Sequence, residues 1–278
     1  GPSTDPAPSH LSNLTRVRTD LGVNWDGALY GINTRHHRVF NASLLEGLNI
    51  LSGWRILDLG CGVGDLTEYL AKLVTGGHVL GVDASASMIA TARRRRRPNL
   101  QFLQCAAQNL NPQLGPFDLV VSTAVLHWIP AREHLGVLKG IRSVLKPGGF
   151  FRAEFGGRGQ IRFARQILAQ ESVRFGGTRN PWYFPGVETY RRLLSKSGFN
   201  LDDGWVRLRP QRRPLPDREA LLGWLRSQVL IGYEVGMRSD DVEEFRRRVE
   251  VRAIEELRRP DGSYDQDYVR LDLKASVP

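Results

Sequence analysis

The run Leu57-Asp58-Leu59-Gly60-Cys61-Gly62-Val63-Gly64 constrains this chain more than any other feature. It follows a short apolar stretch, Arg55 to Leu59, and opens a helical pattern, Asp65 to Leu73, so its glycines allow a tight turn and close approach of a ligand to backbone. Such a turn alone is weak evidence. Asp83, at the end of the next strand candidate and 23 residues after Gly60, strengthens it, because a carboxylate there can take both hydroxyls of a ribose. A dinucleotide site would want a third glycine or alanine three positions after Gly62, at a helix start that receives pyrophosphate. That position is Asp65, which repels phosphate. The expectation is an adenosine-bearing cofactor without phosphates, and S-adenosyl-L-methionine is the common one.

From Trp54 onward short strand patterns alternate with helical ones, the signature of βαβ units around a parallel sheet. Strands are expected at Arg55 to Leu59, His78 to Val82, Leu100 to Leu103, Phe117 to Ser122 and Gly149 to Phe155. Helices are expected at Asp65 to Leu73, Ser85 to Arg95, Arg132 to Val144, Ile161 to Val173 and Val187 to Ser197. Two late strands, Leu201 to Leu208 and Tyr268 to Ala275, flank about sixty residues of charged helical pattern that suggest a lid. The expected organisation is a flexible tail (1–15), an N-terminal helical lid (16–50), a cofactor-binding core (51–157) and a substrate side carrying the helical insert (158–278).

Composition narrows the function. Of 39 basic residues against 29 acidic ones, only five are lysine, a bias that reads as genome composition, although a +10 surface can attract nucleic acid or acidic substrates. The run Arg93 to Arg97 lacks interleaved aromatics and sits at a helix end, where cations meet the helix dipole, so it is read as a solvated face. Ser122-Thr123-Ala124-Val125 stands where a base-flipping adenine enzyme carries Asn/Asp-Pro-Pro-aromatic, which disfavours a nucleic-acid partner. Cys61 and Cys105 lack metal-ligand spacing, no carboxylate cluster points to a metal, and no stretch approaches the ~20 apolar residues of a membrane span. A cytoplasmic, metal-free enzyme is expected, with a homo-oligomer left open.

At this point the chain resembles class I S-adenosylmethionine-dependent methyltransferases. Within them it is similar to small-molecule enzymes akin to trans-aconitate methyltransferases. The matching segments are Asn24-Trp25-Asp26 with Tyr30, LDLGCGVGDLT (57–67), GVDASASMI (81–89), FDLVVSTAVLHWIP (117–130), LKPGGFFRAEFGG (145–157), PWYFP (181–185) and DYVRL (267–271). The resemblance implies a Rossmann-like α/β fold with a seven-stranded, mostly parallel sheet of order 3-2-1-4-5-7-6. It also implies that Gly60 and Gly62 approach the methionine part of the cofactor, Asp83 the ribose, and Ala84 and Met88 the adenine edge. Asp58 and Ser122 complete that set. The family's usual adenine-holding Asp is replaced by Cys105-Ala106-Ala107-Gln108, so backbone of Ala106 and Ala107 or the Gln108 amide takes its place.

A sulfonium methyl is already activated, so the protein chiefly aligns an acceptor, and a base is needed only when the nucleophile carries a proton. Three candidates stand out. His127 is a base or a core histidine, Glu154 a tuned carboxylate or an arginine partner, and Tyr30 a lid hydroxyl or a packing aromatic. Trp25, Trp128, Trp182, Tyr183 and Phe184 offer walls for a small aromatic substrate, or a plain hydrophobic anchor. The chain is also similar to actinomycete enzymes that methylate indole C3 in pyrroloindoline formation, which makes indole carbon methylation the leading expectation. A carboxylate acceptor of trans-aconitate type, clamped by Arg38 or Arg158, is the alternative, with RNA methylation less favoured.

Overall fold

A computed structural model describes residues 43–278, together with the backbone of Arg18–Thr19 and Gly22–Val23. Those two dipeptides pair antiparallel, a short strand pair within a stretch expected to be helical. β-branched Thr19 and Val23 favour extended backbone over a helix interior. Trp25, Tyr30 and Arg38 lie outside the described residues.

Seven strands form one sheet: β1 Arg55–Leu59, β2 His78–Asp83, β3 Leu100–Gln104, β4 Phe117–Thr123, β5 Leu145–Gly156, β6 Asn200–Gln211 and β7 Tyr268–Ser276. Their order is β3-β2-β1-β4-β5-β7-β6, and β7 runs antiparallel to both of its neighbours. The central strands read as continuous apolar runs because the sheet is covered on both faces. On one face Leu44, Leu66, Leu70 and Ile89 cover Ile56, Leu119 and Val121. On the other, Val137, Leu138, Tyr190 and Leu194 cover Leu57, Val120 and Phe151.

The covering helices are α1 Asp65–Leu73, α2 Ala86–Ala92, α3 His134–Val144, α4 Arg162–Ser172 and α5 Val187–Lys196. Helix α2 ends three residues before the expected Arg95, because the following arginines serve other contacts. Arg93 donates to the Phe102 carbonyl, and Arg95 reaches the Val63 carbonyl (2.9 Å), Glu68 (3.1 Å) and Asp65 (2.5 Å). Arg93, Arg94, Arg96 and Arg97 are exposed and Arg95 is half-buried, so the run is a solvated face as expected, with Arg93 and Arg95 also tied to the fold. Asp65 is neutralised by Arg95, so it is not the free repulsive charge expected at the start of α1.

Between β6 and β7 the chain forms α6 Arg218–Trp224, one π-helical turn at Leu225–Val229, α7 Leu230–Tyr233 and α8 Ser239–Glu256. Trp224, Leu225, Tyr233 and Phe245 of this insert pack with Ile167, Leu168 and Trp182 into a separate apolar cluster. The insert is thus anchored to α4 rather than hanging from its two strands. A second buried feature lies at the other side of β5. Fully buried Arg152 pairs with fully buried Asp272 and donates to the Ser43 and Glu46 carbonyls, tying the first described turn to the sheet.

Candidate active site

The carboxyl ends of β1, β2 and β4 meet at the glycine turn, where open α/β sheets bind ligands. The amides of Gly60 and Cys61 donate to the Val82 carbonyl at 2.8 and 2.9 Å, folding the turn back over β2. Gly60 has φ +75°, and a Cβ there would lie 2.1 Å from Val125. Asp83 accepts from the amides of Gly62 and Ser85, each at 2.9 Å, and both of its oxygens retain capacity for a further bond. Burial raises its pKa and these two amides oppose the rise. Asp58 is buried beneath, with Oδ2 accepting from Thr67 at 2.8 Å and Oδ1 without a partner among the described residues. Burial, followed by repulsion from Asp83, pushes it up to about 7.

A cavity of about 690 Å³ opens from this turn. Gly60, Gly62, Asp83, Ala84, Met88, Ala107 and Gln108 line it, together with Cys105. Three residues expected at the cofactor do not. Asp58 and Ser122 are buried behind the turn, Ser122 donating to the Leu59 carbonyl at 2.9 Å, and Ala106 is buried outside the lining. At the rim Ala124 adopts φ +60°, a conformation costly for a non-glycine residue and often found at functional sites.

The far wall is aromatic. Trp128 meets Trp182 edge-on at 5.6 Å, Trp182 stacks on Phe184 at 5.5 Å, and Phe184 meets the His127 ring edge-on at 5.6 Å. Trp128, Trp182 and Phe184 line the cavity; Tyr183 does not, because its ring turns back onto His134 at 4.7 Å. The insert supplies Trp224, Gln228, Val229 and Gly232 from its α6, π-helical and α7 turns. A Cβ on Gly232 would meet the Trp128 ring at 3.1 Å, so glycine sets how closely the insert approaches this wall.

His127 and Glu154 are not brought together as a base pair. Nδ1 of His127 accepts from the Gly156 amide at 2.9 Å, and burial, with Arg270 and His134 nearby, holds the imidazole well below its ordinary pKa. It is therefore neutral with its proton on Nε2, a donor rather than a base. Glu154 faces away from the described lining, accepting from Ser43 Oγ at 3.3 Å with Arg209 at 3.8 Å. Burial and then Asp272 raise its pKa, against Arg270, Arg152 and Arg209. Arg158 is exposed and also lies outside the lining.

Sequence reasoning missed many of the lining residues, among them Arg270 and Gln160. Arg270 on β7 is only 6% exposed, stacks over Tyr268 at 4.8 Å, and makes no hydrogen bond or ion pair among the described residues. Gln160 is buried, with Oε1 accepting from the Val269 amide at 2.8 Å. The segment DYVRL contained the signal: Tyr268 and Arg270 are two apart and share one strand face. No group of three or more potential metal ligands occurs among the described residues, and no described helix is long and apolar enough to cross a membrane.

Residues 56–149 match the methyltransferase domain family. An uncharacterised methyltransferase of Schizosaccharomyces pombe is 31% identical, over 64% of this chain and 71% of its own. A trans-aconitate 2-methyltransferase of Deinococcus radiodurans is 30% identical, over 64% of this chain and 70% of its own. The crystal structure of the YcgJ protein of Bacillus subtilis has the same fold, with a TM-score of 0.58, 15% identity and coverage of 87% and 99% of the two chains. The chain belongs to the S-adenosylmethionine-dependent methyltransferases with a Rossmann-like fold. S-adenosylmethionine is its cofactor. The residues present fit a cationic nucleoside: a buried, partly orphaned Asp58 and a rim Asp83 provide negative charge beside glycine backbone.

Proposed function

We propose that this enzyme transfers a methyl group from S-adenosylmethionine to a carboxylate oxygen of a small organic acid with a planar, unsaturated body. The cofactor supplies an activated methyl group, and Asp83, Gly60, Gly62, Ala84, Met88, Ala107 and Gln108 hold it at the open end of β1 and β2. The observation that carries the acid reading is Arg270, a buried guanidinium in the cavity wall that makes no ion pair among the described residues, although Glu154 lies close enough to feel its charge. An ionised acid needs no base. This agrees with a histidine that offers a proton rather than a lone pair, and with Glu154 engaged outside the cavity. The trans-aconitate 2-methyltransferases among the relatives support the same reading. The aromatic side chains Trp128, Trp182 and Phe184 enclose the body of the acceptor and exclude water.

That aromatic wall also favours a second reading, carbon methylation of an indole at C3. Here His127 would receive or orient the indole N–H only after exchanging its tautomer, and Tyr30 would act from outside the described residues. Purified enzyme supplied with methyl-labelled cofactor and a panel of mono-, di- and tricarboxylates, N-acyl tryptamines and tRNA tests both. Label that alkaline hydrolysis releases as methanol supports ester formation. Alkali-stable label in an indole, or label in tRNA, overturns it.

A further inference from the structure

We propose that Arg270, Gln160 and His127 form a donor-only subsite that anchors an acceptor carboxylate distinct from the atom receiving the methyl group. Each member is more than nine-tenths buried, and all three line the cavity. The backbone fixes what two of them can offer. His127 Nδ1 is occupied by the Gly156 amide, leaving Nε2–H, and Gln160 Oε1 is occupied by the Val269 amide, leaving its NH₂ group. The strand register brings them to one place. Arg270 is the cross-strand partner of the same Gly156 that holds His127, and Val269, which holds Gln160, precedes Arg270 in the chain.

Among the described residues no carboxylate makes a hydrogen bond or ion pair with Arg270. On its own strand face Asp272 is taken by Arg152, Arg207 and Arg209, and Glu154, which feels the charge of Arg270, makes its direct contacts with Ser43 and Arg209. The neighbouring guanidinium, Arg209, is the cross-strand partner of Arg270 and is drawn to these same carboxylates. Arg270 thus adds a positive charge to neutral donors in a desolvated wall, where charge-assisted bonds to an oxyanion are strongest. A carboxylate gripped by several donors has its lone pairs engaged and is a poor nucleophile. The subsite therefore orients the acceptor while a second group attacks the methyl. Resting on the ester reading above, this makes the acceptor at least a dicarboxylate; were carbon the nucleophile, it would make it an indole that carries an acid.

The test is calorimetry on the protein saturated with S-adenosylhomocysteine, using two matched pairs: phenylsuccinate against its diamide, and N-acetyltryptophan against N-acetyltryptamine. In the wild type, at least one acid is expected to bind roughly 10- to 100-fold more tightly than its neutral counterpart. Arg270→Met abolishes that preference. Gln160→Glu, which keeps an acceptor for the Val269 amide but replaces the donor with a like charge, weakens the acid about tenfold or more. The Kd for S-adenosylhomocysteine stays within about twofold in both variants, showing that the fold survives. Acid and neutral probes binding alike, neither binding at all, or a preference that survives Arg270→Met overturns the subsite. The two readings fail separately: alkali-stable label with the acid preference intact overturns ester formation alone, and ester formation without any acid preference overturns the subsite alone.

Discussion

The Gly156 amide donates to Nδ1 of His127 across 2.9 Å, and this contact determines what the imidazole presents to the cavity. Gly156 also lacks the Cβ that would lie 2.3 Å from the Phe184 ring, so one residue sets both the tautomer of His127 and the seat of the aromatic wall. With Arg270 paired across from it, the end of β5 and the start of β7 form the polar corner of an otherwise apolar acceptor site.

His127 is expected to remain neutral well below pH 6.5, because burial, Arg270 and His134 lower its pKa. The unfolded chain takes up its proton first as pH falls below about 6.5. The stabilisation contributed by the neutral ring is therefore complete above that value and declines as pH falls toward the lowered native value. Urea unfolding of wild type and His127→Gln at pH 7.5 and 5.5 checks this. The stability difference between them shrinks in acid; an unchanged difference contradicts the assignment.

Cofactor binding is expected to release a proton below neutrality. Asp58 has a pKa of about 7 in the free protein, raised chiefly by burial and further by Asp83. A cationic cofactor favours the ionised carboxylate and lowers that value, so affinity for S-adenosylmethionine rises with pH up to about 7 and then levels. Calorimetry between pH 5.5 and 8 shows the slope in the wild type and its loss in Asp58→Asn. A flat wild-type profile is the contrary result.

Asp83→Ala removes the ribose acceptor and also leaves the amides of Gly62 and Ser85 without their partner. S-adenosylhomocysteine is expected to bind roughly 10- to 100-fold more weakly, equivalent to about 1.5–3 kcal/mol. Affinity within twofold of wild type would remove Asp83 from the cofactor site.

The Arg152–Asp272 pair is structural, and its removal should act on stability rather than on the cavity. Asp272→Ala takes from a fully buried guanidinium its ion-pair partner, at a cost of about 3–5 kcal/mol. Chemical denaturation measures it. A loss below 1 kcal/mol would show that Arg152 recovers its bonds from the Ser43, Glu46 and Leu273 carbonyls alone.

The strands and the glycine turn were readable because their signals are local: apolar runs, positive-φ glycines, and a carboxylate at the end of β2. The sequence left Glu154 open between a tuned carboxylate and an arginine partner because β5 is buried on both faces, and alternation in a doubly covered strand does not say which face opens to the cavity. The role of Asp65 was obscured by Arg95, thirty residues away in sequence and 2.5 Å away in space. Tyr183 stood between two wall residues, and only the packing of His134 shows that its ring leaves the wall. Arg270 was visible within DYVRL, yet its burial and its lack of an ion pair among the described residues arise from β7 entering the sheet between β5 and β6, a long-range pairing that no local window contains.

The most direct test of the acid-acceptor account is the identity of the atom that bears the new methyl group. Carbon-13 NMR of the product formed from ¹³C-methyl cofactor and a dicarboxylate panel is expected to give a methyl resonance in the ester region, coupled through oxygen to a carboxyl carbon. A methyl bound to carbon or nitrogen, or no transfer to any acid while an indole is converted, would contradict it.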